Sequence, residues 1–151
     1  MIERINEELG RMTIELFRAM FGCDIIPAES VDIDPEKDDR WDVSGVVSIT
    51  GSLSGLIAMR YPQNVATFLL GKSRLLNTEN QPRLLDDMIG EVTNILVGNL
   101  LSGAVYDDLY LSVPIAVKGP GHLISWPKNT PIRSTAFSIG RESFVVQLGL
   151  K

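Results

Sequence analysis

Apolar positions recur along this chain in two rhythms, one of three to four residues and one of two, and these separate helices from strands. Ile2, Ile5, Leu9, Met12, Leu16, Phe17 and Met20 step by three and four with charged residues between them. That spacing predicts an amphipathic helix, ended by Gly22. Residues 23–40 read as loop, with Pro27, Pro35, the acidic run DIDPEKDD and room for a short strand over 25–33. The period then changes. Val43, Gly45, Val47 and Ile49 alternate with Ser44, Val46 and Ser48. DVSGVVSITGSLSGLIAMRYP therefore reads as two strands, turned at 50–52. Pro62 suits a first helical turn and opens a short helix, QNVATFLLGKSR. A polar connector covers 75–82.

The longer rhythm returns with Leu84, Leu85, Met88, Ile89, Val92, Ile95 and Leu96, which predict a second long helix over 83–102. After it, Leu109, Leu111, Val113, Ile115 and Val117 fit one face of a single strand, turned by GPG at 119–121. Further strands are predicted over 122–126, 132–139 and 143–150, with GRES at 140–143 as a hairpin turn. Helix, strands, helix, helix, strands predicts one α+β domain over 1–151: a largely antiparallel sheet with long helices packed on it. The halves share this plan without a residue-level repeat.

Composition narrows the functional classes. The chain has 151 residues, 44% apolar, enough for one core. Its net charge is -5 and no Lys/Arg cluster stands out, so no nucleic-acid partner is expected. One cysteine, Cys23, allows no disulfide within the chain. The opening MIERINEELG lacks the apolar run of a signal peptide. No stretch reaches the ~18 apolar residues of a membrane span, so the expectation is a cytoplasmic protein with no membrane contact.

Three features invite chemistry and lose it on inspection. Cys23 would need an arginine at position 29 to resemble a cysteine-phosphatase loop, and Glu29 stands there. A thiol at a helix C-terminus also meets the wrong end of the dipole for a thiolate. His122 is the only histidine; with no partner set for a metal or a triad, it reads as a solvated turn residue. The acidic run Asp32, Asp34, Glu36, Asp38, Asp39 fails the calcium-loop test, because Lys37 and Val43 hold the places of the required glycine and glutamate. It reads as a solvated loop.

The second long helix is different. At about 100° per residue, Asp87, Glu91, Asn94 and Gly98 fall within about 60° of one another, away from the apolar stripe. Gly90 lies further round the polar face. Asn99 falls within the apolar arc and reads as a structural, hydrogen-bonded residue. Two glycines inside a helix cost about 1 kcal/mol each relative to alanine. One reading is a face left bare so that another molecule can approach a carboxylate and an amide. The other is a polar face whose glycines serve close packing inside the domain. Periodicity leaves both open.

DDMIGEVTNILVGNL resembles the signature helix of the CheC/CheX/FliY family of chemotaxis phosphatases. That signature runs Asp or Ser, three residues, Glu, two residues, Asn, then a proline some way on. Asp87, Glu91 and Asn94 fill the first three places. Pro114, in YLSVPIAVKG, is the candidate for the fourth, at slightly shorter spacing than usual. ELFRAMFG, VSGVVSITGSLSGLIAMRYP and VPIAVKGPGH are similar to CheX segments in matching order, so the resemblance covers most of the chain. CheC-like members carry a second Glu-x-x-Asn in the first helix. Here Glu7 is followed by Gly10, Glu8 by Arg11 and Glu15 by Arg18, which implies the single-site, CheX-type pattern.

The resemblance implies a CheC/CheX-like fold and hydrolysis of the aspartyl phosphate on a CheY-like response regulator. It implies Glu91 and Asn94 as catalytic residues, Glu91 docking to the receiver lysine and Asn94 holding the attacking water. Asp87, Gly90 and Gly98 would face the partner. No cofactor is expected on this chain; the Mg2+ belongs to the receiver. The expected assembly is a homodimer joined through its sheets. Two alternatives stay open: a CheX-like module that binds receivers or other signalling partners without catalysis, and a ligand-binding or structural domain whose glycine face packs internally.

Overall fold

A computed structural model describes residues 2–28, 34–73, 84–103 and 108–151. The predicted connector at 75–82, most of the possible strand over 25–33 and the start of the second long helix at 83 lie outside them. The described residues form three α-helices and a seven-stranded antiparallel sheet. The first helix, α1, spans Ile2–Phe21. Gly22 follows it at φ 65, a conformation only glycine adopts at no steric cost, and its N–H closes the helix on Arg18 O at 3.1 Å. β1 is the short Ile26–Pro27, and a 3-10 turn occupies Pro35–Lys37. β2 (Val43–Gly51) and β3 (Gly55–Tyr61) form the expected hairpin, with the turn two residues later than predicted. The second helix, α2, spans Gln63–Lys72, and Asp42 Oδ2 accepts from Gln63 N at 2.9 Å to cap it from outside.

The second long helix, α3, spans Leu84–Gly103. The strand expected through 109–117 is two strands, β4 (Leu109–Leu111) and β5 (Ile115–Lys118). Both pair with β2, at opposite ends of it. Pro114 lies in the gap. It has no N–H for the ladder, and Ser112 Oγ accepts from Ser48 N at 2.9 Å across the break. Val113 and Ile115, expected on one face of a single strand with Leu109, Leu111 and Val117, are exposed. β6 (Ile132–Ile139) and β7 (Glu142–Leu150) close the chain as a hairpin, with Gly140 at φ 61 in its two-residue turn. The strand order is β1-β6-β7-β3-β2-β4, with β5 beside β4 on the same flank of β2.

The helices cover one face. α3 packs on β2, β3 and β5 and meets α1 and α2. Phe17, Tyr61, Phe137 and Phe144 form the aromatic centre, where the rings of Phe17 and Phe144 stack at 4.7 Å. The stretch 122–126 is not a strand. It crosses the sheet's other face as an extended strap, burying Ile124 and Trp126 against Ala58, with Val46, Leu56 and Ile132 around them. Its alternation is the same as a strand's because any extended chain turns successive side chains to opposite sides.

Candidate functional site

Helix α3 is held from below by an approach that only glycine permits. A Cβ at Gly45 of β2 would begin 2.0 Å from Thr93 Oγ1 and 3.0 Å from Ile89 O. Helix backbone therefore rests almost directly on the sheet. Thr93 is fully buried and returns its hydroxyl to Ile89 O at 2.8 Å. Met88, Ile89, Val92, Leu96, Val97 and Leu100 fill the same buried side. Asp87, Glu91 and Asn94 are exposed, and none makes a side-chain hydrogen bond or ion pair with another described residue.

The edge of α3 is set by β5. Gly90 is buried, and Pro114 lies beside it, 3.8 Å from where a Cβ would begin. Gly90, expected to face a partner, is instead buried within the domain, because Pro114, just ahead of β5, covers the side of the helix that periodicity read as polar. Gly98 is placed differently. It is half-buried, with nothing within 4 Å of a would-be Cβ. Asn99 is also corrected, since it is exposed rather than held in the core. It lies within the last two turns of α3, where Ser102, one turn on, is exposed as well.

Helix α1 makes a contrast. Arg11 bridges Glu8 and Glu15 there, with 2.7 Å to Glu15 Oε1, and the neighbouring amide of Asn6 donates to Thr135 Oγ1 at 3.2 Å. The face of α3 therefore presents an uncommitted carboxylate beside an uncommitted amide, and α1 does not. A carboxylate can take a cation. A carboxamide both donates and accepts, and so can hold a water without adding charge.

The remaining candidates are structural. Cys23 is half-buried, its Sγ 3.6 Å from Phe21 O. His122 is half-buried rather than solvated: Nε2 lies 2.7 Å from Ser44 Oγ and Nδ1 lies 2.9 Å from Gly119 O. Asp38 departs from the solvated acidic loop. It is 2% exposed and accepts from Arg40 and from Trp41 Nε1 at 2.8 Å. The sequence reading missed Arg60, fully buried on the outer face of the sheet. It donates to Ser44 Oγ at 3.1 Å and to His122 O at 2.7 Å. A charge at an alternating apolar position was the available signal. The reading also missed Lys118, which reaches Asp86 at 2.8 Å. Among the described residues no cluster of three or more His, Cys, Asp or Glu is arranged to hold a metal ion, and no helix is long and apolar enough to cross a membrane.

No curated protein matches the chain. A CheC-like superfamily protein from Shewanella sp. PV-4 superposes with a TM-score of 0.82 at 19% identity, covering 97% of each chain. The chemotaxis protein CheX from Desulfovibrio desulfuricans gives 0.81 at 23% identity and 98% of each chain. A Borrelia burgdorferi CheX, solved as a CheX-CheY-BeF3-Mg2+ complex, gives 0.74 at 18% identity and 96% of each chain. At these identities the likeness is one of fold. The family model for the chemotaxis phosphatase CheX matches residues 43–138, spanning β2, α3 with its Asp87, Glu91 and Asn94, and most of β6, and the chain therefore belongs to the CheX family.

Proposed function

We propose that this chain hydrolyses the aspartyl phosphate of a CheY-like response regulator, using the exposed face of α3. The observation that carries the reading is the pair Glu91 and Asn94, accessible on one face with no partner among the described residues. Family membership supports the phosphatase role, and the Borrelia complex supports a CheY-like partner. The acyl phosphate, its Mg2+ and a lysine come with the receiver. In-line hydrolysis needs in addition a water held against phosphorus and a fixed docking register. The Asn94 carboxamide holds that water. Glu91 pairs with the receiver lysine and sets the register. Asp87 and Gly98 border the contact, and the absent side chain at Gly98 leaves room for the partner. The assembly proposed is a cytoplasmic homodimer joined through its sheets.

The exposure of Asn94 argues against a purely internal packing role for this face. A receiver-binding module without catalysis would present the same surface, so the test is chemical. The chain is mixed with a phosphorylated CheY-like receiver and phosphate release is followed, with Asn94→Ala as the control. Full activity in that variant, against a receiver the wild type dephosphorylates, would sink the mechanism.

A further inference from the structure

Asp86 stands in the first turn of α3, about one and a half turns before Glu91. Its Oδ1 is closed off from solvent and receives no well-aligned hydrogen bond from a described residue. What faces it is the ammonium of Lys118, 2.8 Å away. Lys118 is the last residue of β5, paired with Val43 in the β2 ladder, and its side chain is about half exposed. Pro114, just before the other end of β5, lies against Gly90 of α3. This short strand thus touches the helix at two points, both ahead of Glu91 and Asn94.

The two contacts differ in kind. The Gly90–Pro114 contact is apolar and limits how closely the helix approaches. The Asp86–Lys118 pair is directional, because Lys118 is the one counter-charge that the shielded oxygen meets among the described residues. A freely solvated ion pair contributes little. The Asp86 side chain as a whole is 33% exposed, but its Oδ1 is shielded; removing Lys118 leaves that oxygen without its counter-charge, and rolling the first turn of the helix outward would return it to water. Asn94 and Glu91 move with that roll, since all three sit on one rigid helix. A misplacement on the scale of ~1 Å is enough to cost a positioned water its in-line geometry.

We propose that Lys118 is a positioning residue for the α3 site: through Asp86 it fixes the roll of the helix, and so the aim of Glu91 and Asn94. This rests on the reading of that face as the dephosphorylation site. Lys118 touches neither the receiver nor the reacting phosphate.

The test uses four variants of the full chain and two readouts. Lys118→Met keeps the aliphatic stem and removes the charge; Lys118→Arg keeps the charge; Asp86→Asn removes the other partner; the fourth is the Lys118→Met/Asp86→Asn double. The first readout is amide hydrogen exchange of the free protein. Lys118→Met should speed exchange in the first turns of α3 by about threefold, and Lys118→Arg should leave it unchanged. The second is phosphate release from a phosphorylated CheY-like receiver. Lys118→Met and Asp86→Asn should each lower kcat about fivefold with KM nearly constant, and the double should be no worse than either single. A rise in KM alone on Lys118→Met, with Asp86→Asn silent, overturns the proposal and makes Lys118 a receiver contact. Unchanged exchange in Lys118→Met overturns it as well. Failure of the wild type to release phosphate sinks the phosphatase reading alone, and the exchange comparison still decides whether the pair holds α3.

Discussion

The ring of Pro114 lies against Gly90 of α3: a Cβ on that glycine would begin 3.8 Å from Pro114 Cγ and 3.9 Å from its Cβ. Gly90 and Gly98 therefore have different duties. A methyl at 90 would make an ordinary van der Waals contact, and one at 98 would meet open space. Gly90→Ala and Gly98→Ala should each stabilise the helix, by about 1 kcal/mol. Only bulk at 98 faces outward, so Gly98→Leu should weaken receiver binding while thermal stability holds. Denaturant titration beside a receiver-binding isotherm checks both; equal binding by wild type and Gly98→Leu would remove Gly98 from the contact.

Glu91 and Asn94 should fail in different ways. Asn94→Ala should cut phosphate release by about 100-fold and leave binding nearly intact, because the held water matters mainly in the transition state. Glu91→Ala should weaken binding, by ~2–5 kcal/mol if the pair it forms is partly desolvated, and slow turnover as well. Neither change should move stability beyond about ±0.5 kcal/mol, since both side chains are exposed. Single-turnover kinetics, calorimetry of binding and circular dichroism separate the three effects.

Tyr61 carries a hydroxyl into the aromatic centre without a described hydrogen-bond partner. Burial pushes its ionisation far above the ordinary tyrosine value. The ring stacks on Phe144 at 5.4 Å, a contact phenylalanine would keep. Tyr61→Phe should raise stability by about 1 kcal/mol, read from the urea midpoint.

Asp38 gives the fold an acid sensitivity. Burial by itself raises its carboxyl, but hydrogen bonds from Arg40 and Trp41 outweigh burial and hold it below its ordinary 3.8. A depressed folded value means the stabilisation is present above the unfolded value, ~3.9, and is lost as pH falls through the lower folded one. Stability should therefore drop below about pH 4. Asp38→Asn should lower stability at neutral pH by about 1–3 kcal/mol and flatten that acid limb. Melting temperatures across the acid range report both.

One sheet flank, formed by β4 and β5, leaves Tyr110 and Ile115 exposed. Unpaired strand edges are natural joining surfaces. Light scattering at micromolar concentration should report a dimer, and Tyr110→Glu should shift it towards monomer. A wild type that stays monomeric rules the assembly out.

Much of this was legible in the residue order. The three- and four-residue steps from Ile2 to Met20 and from Leu84 to Leu96 became α1 and α3, because burying one helical side requires that spacing. The alternation after Asp42 became β2 and β3. The exposure of Asp87, Glu91 and Asn94 followed from the same 100° arithmetic. Those three residues also carried the family resemblance, and the family model matches a region containing them.

Other features required the tertiary structure, since each depends on a neighbour distant in sequence. Periodicity placed Gly90 on the polar side of α3, but Pro114, just ahead of β5, covers it, and nothing local to Gly90 announces that proline. The strap over 122–126 alternates like a strand, yet its backbone joins no ladder, because Ile124 and Trp126 bury themselves on the sheet's outer face instead. Asp38 read as one more solvated acid until Arg40 and Trp41 enclosed it. Lys118 read as an ordinary surface charge until β5 set it against Asp86. Residue order alone dictates which residues must leave water and at what period, because hydrophobic burial acts on each element's own side chains. Which polar groups meet and which glycines face outward depends on where separate elements dock, and so emerges only in the folded molecule.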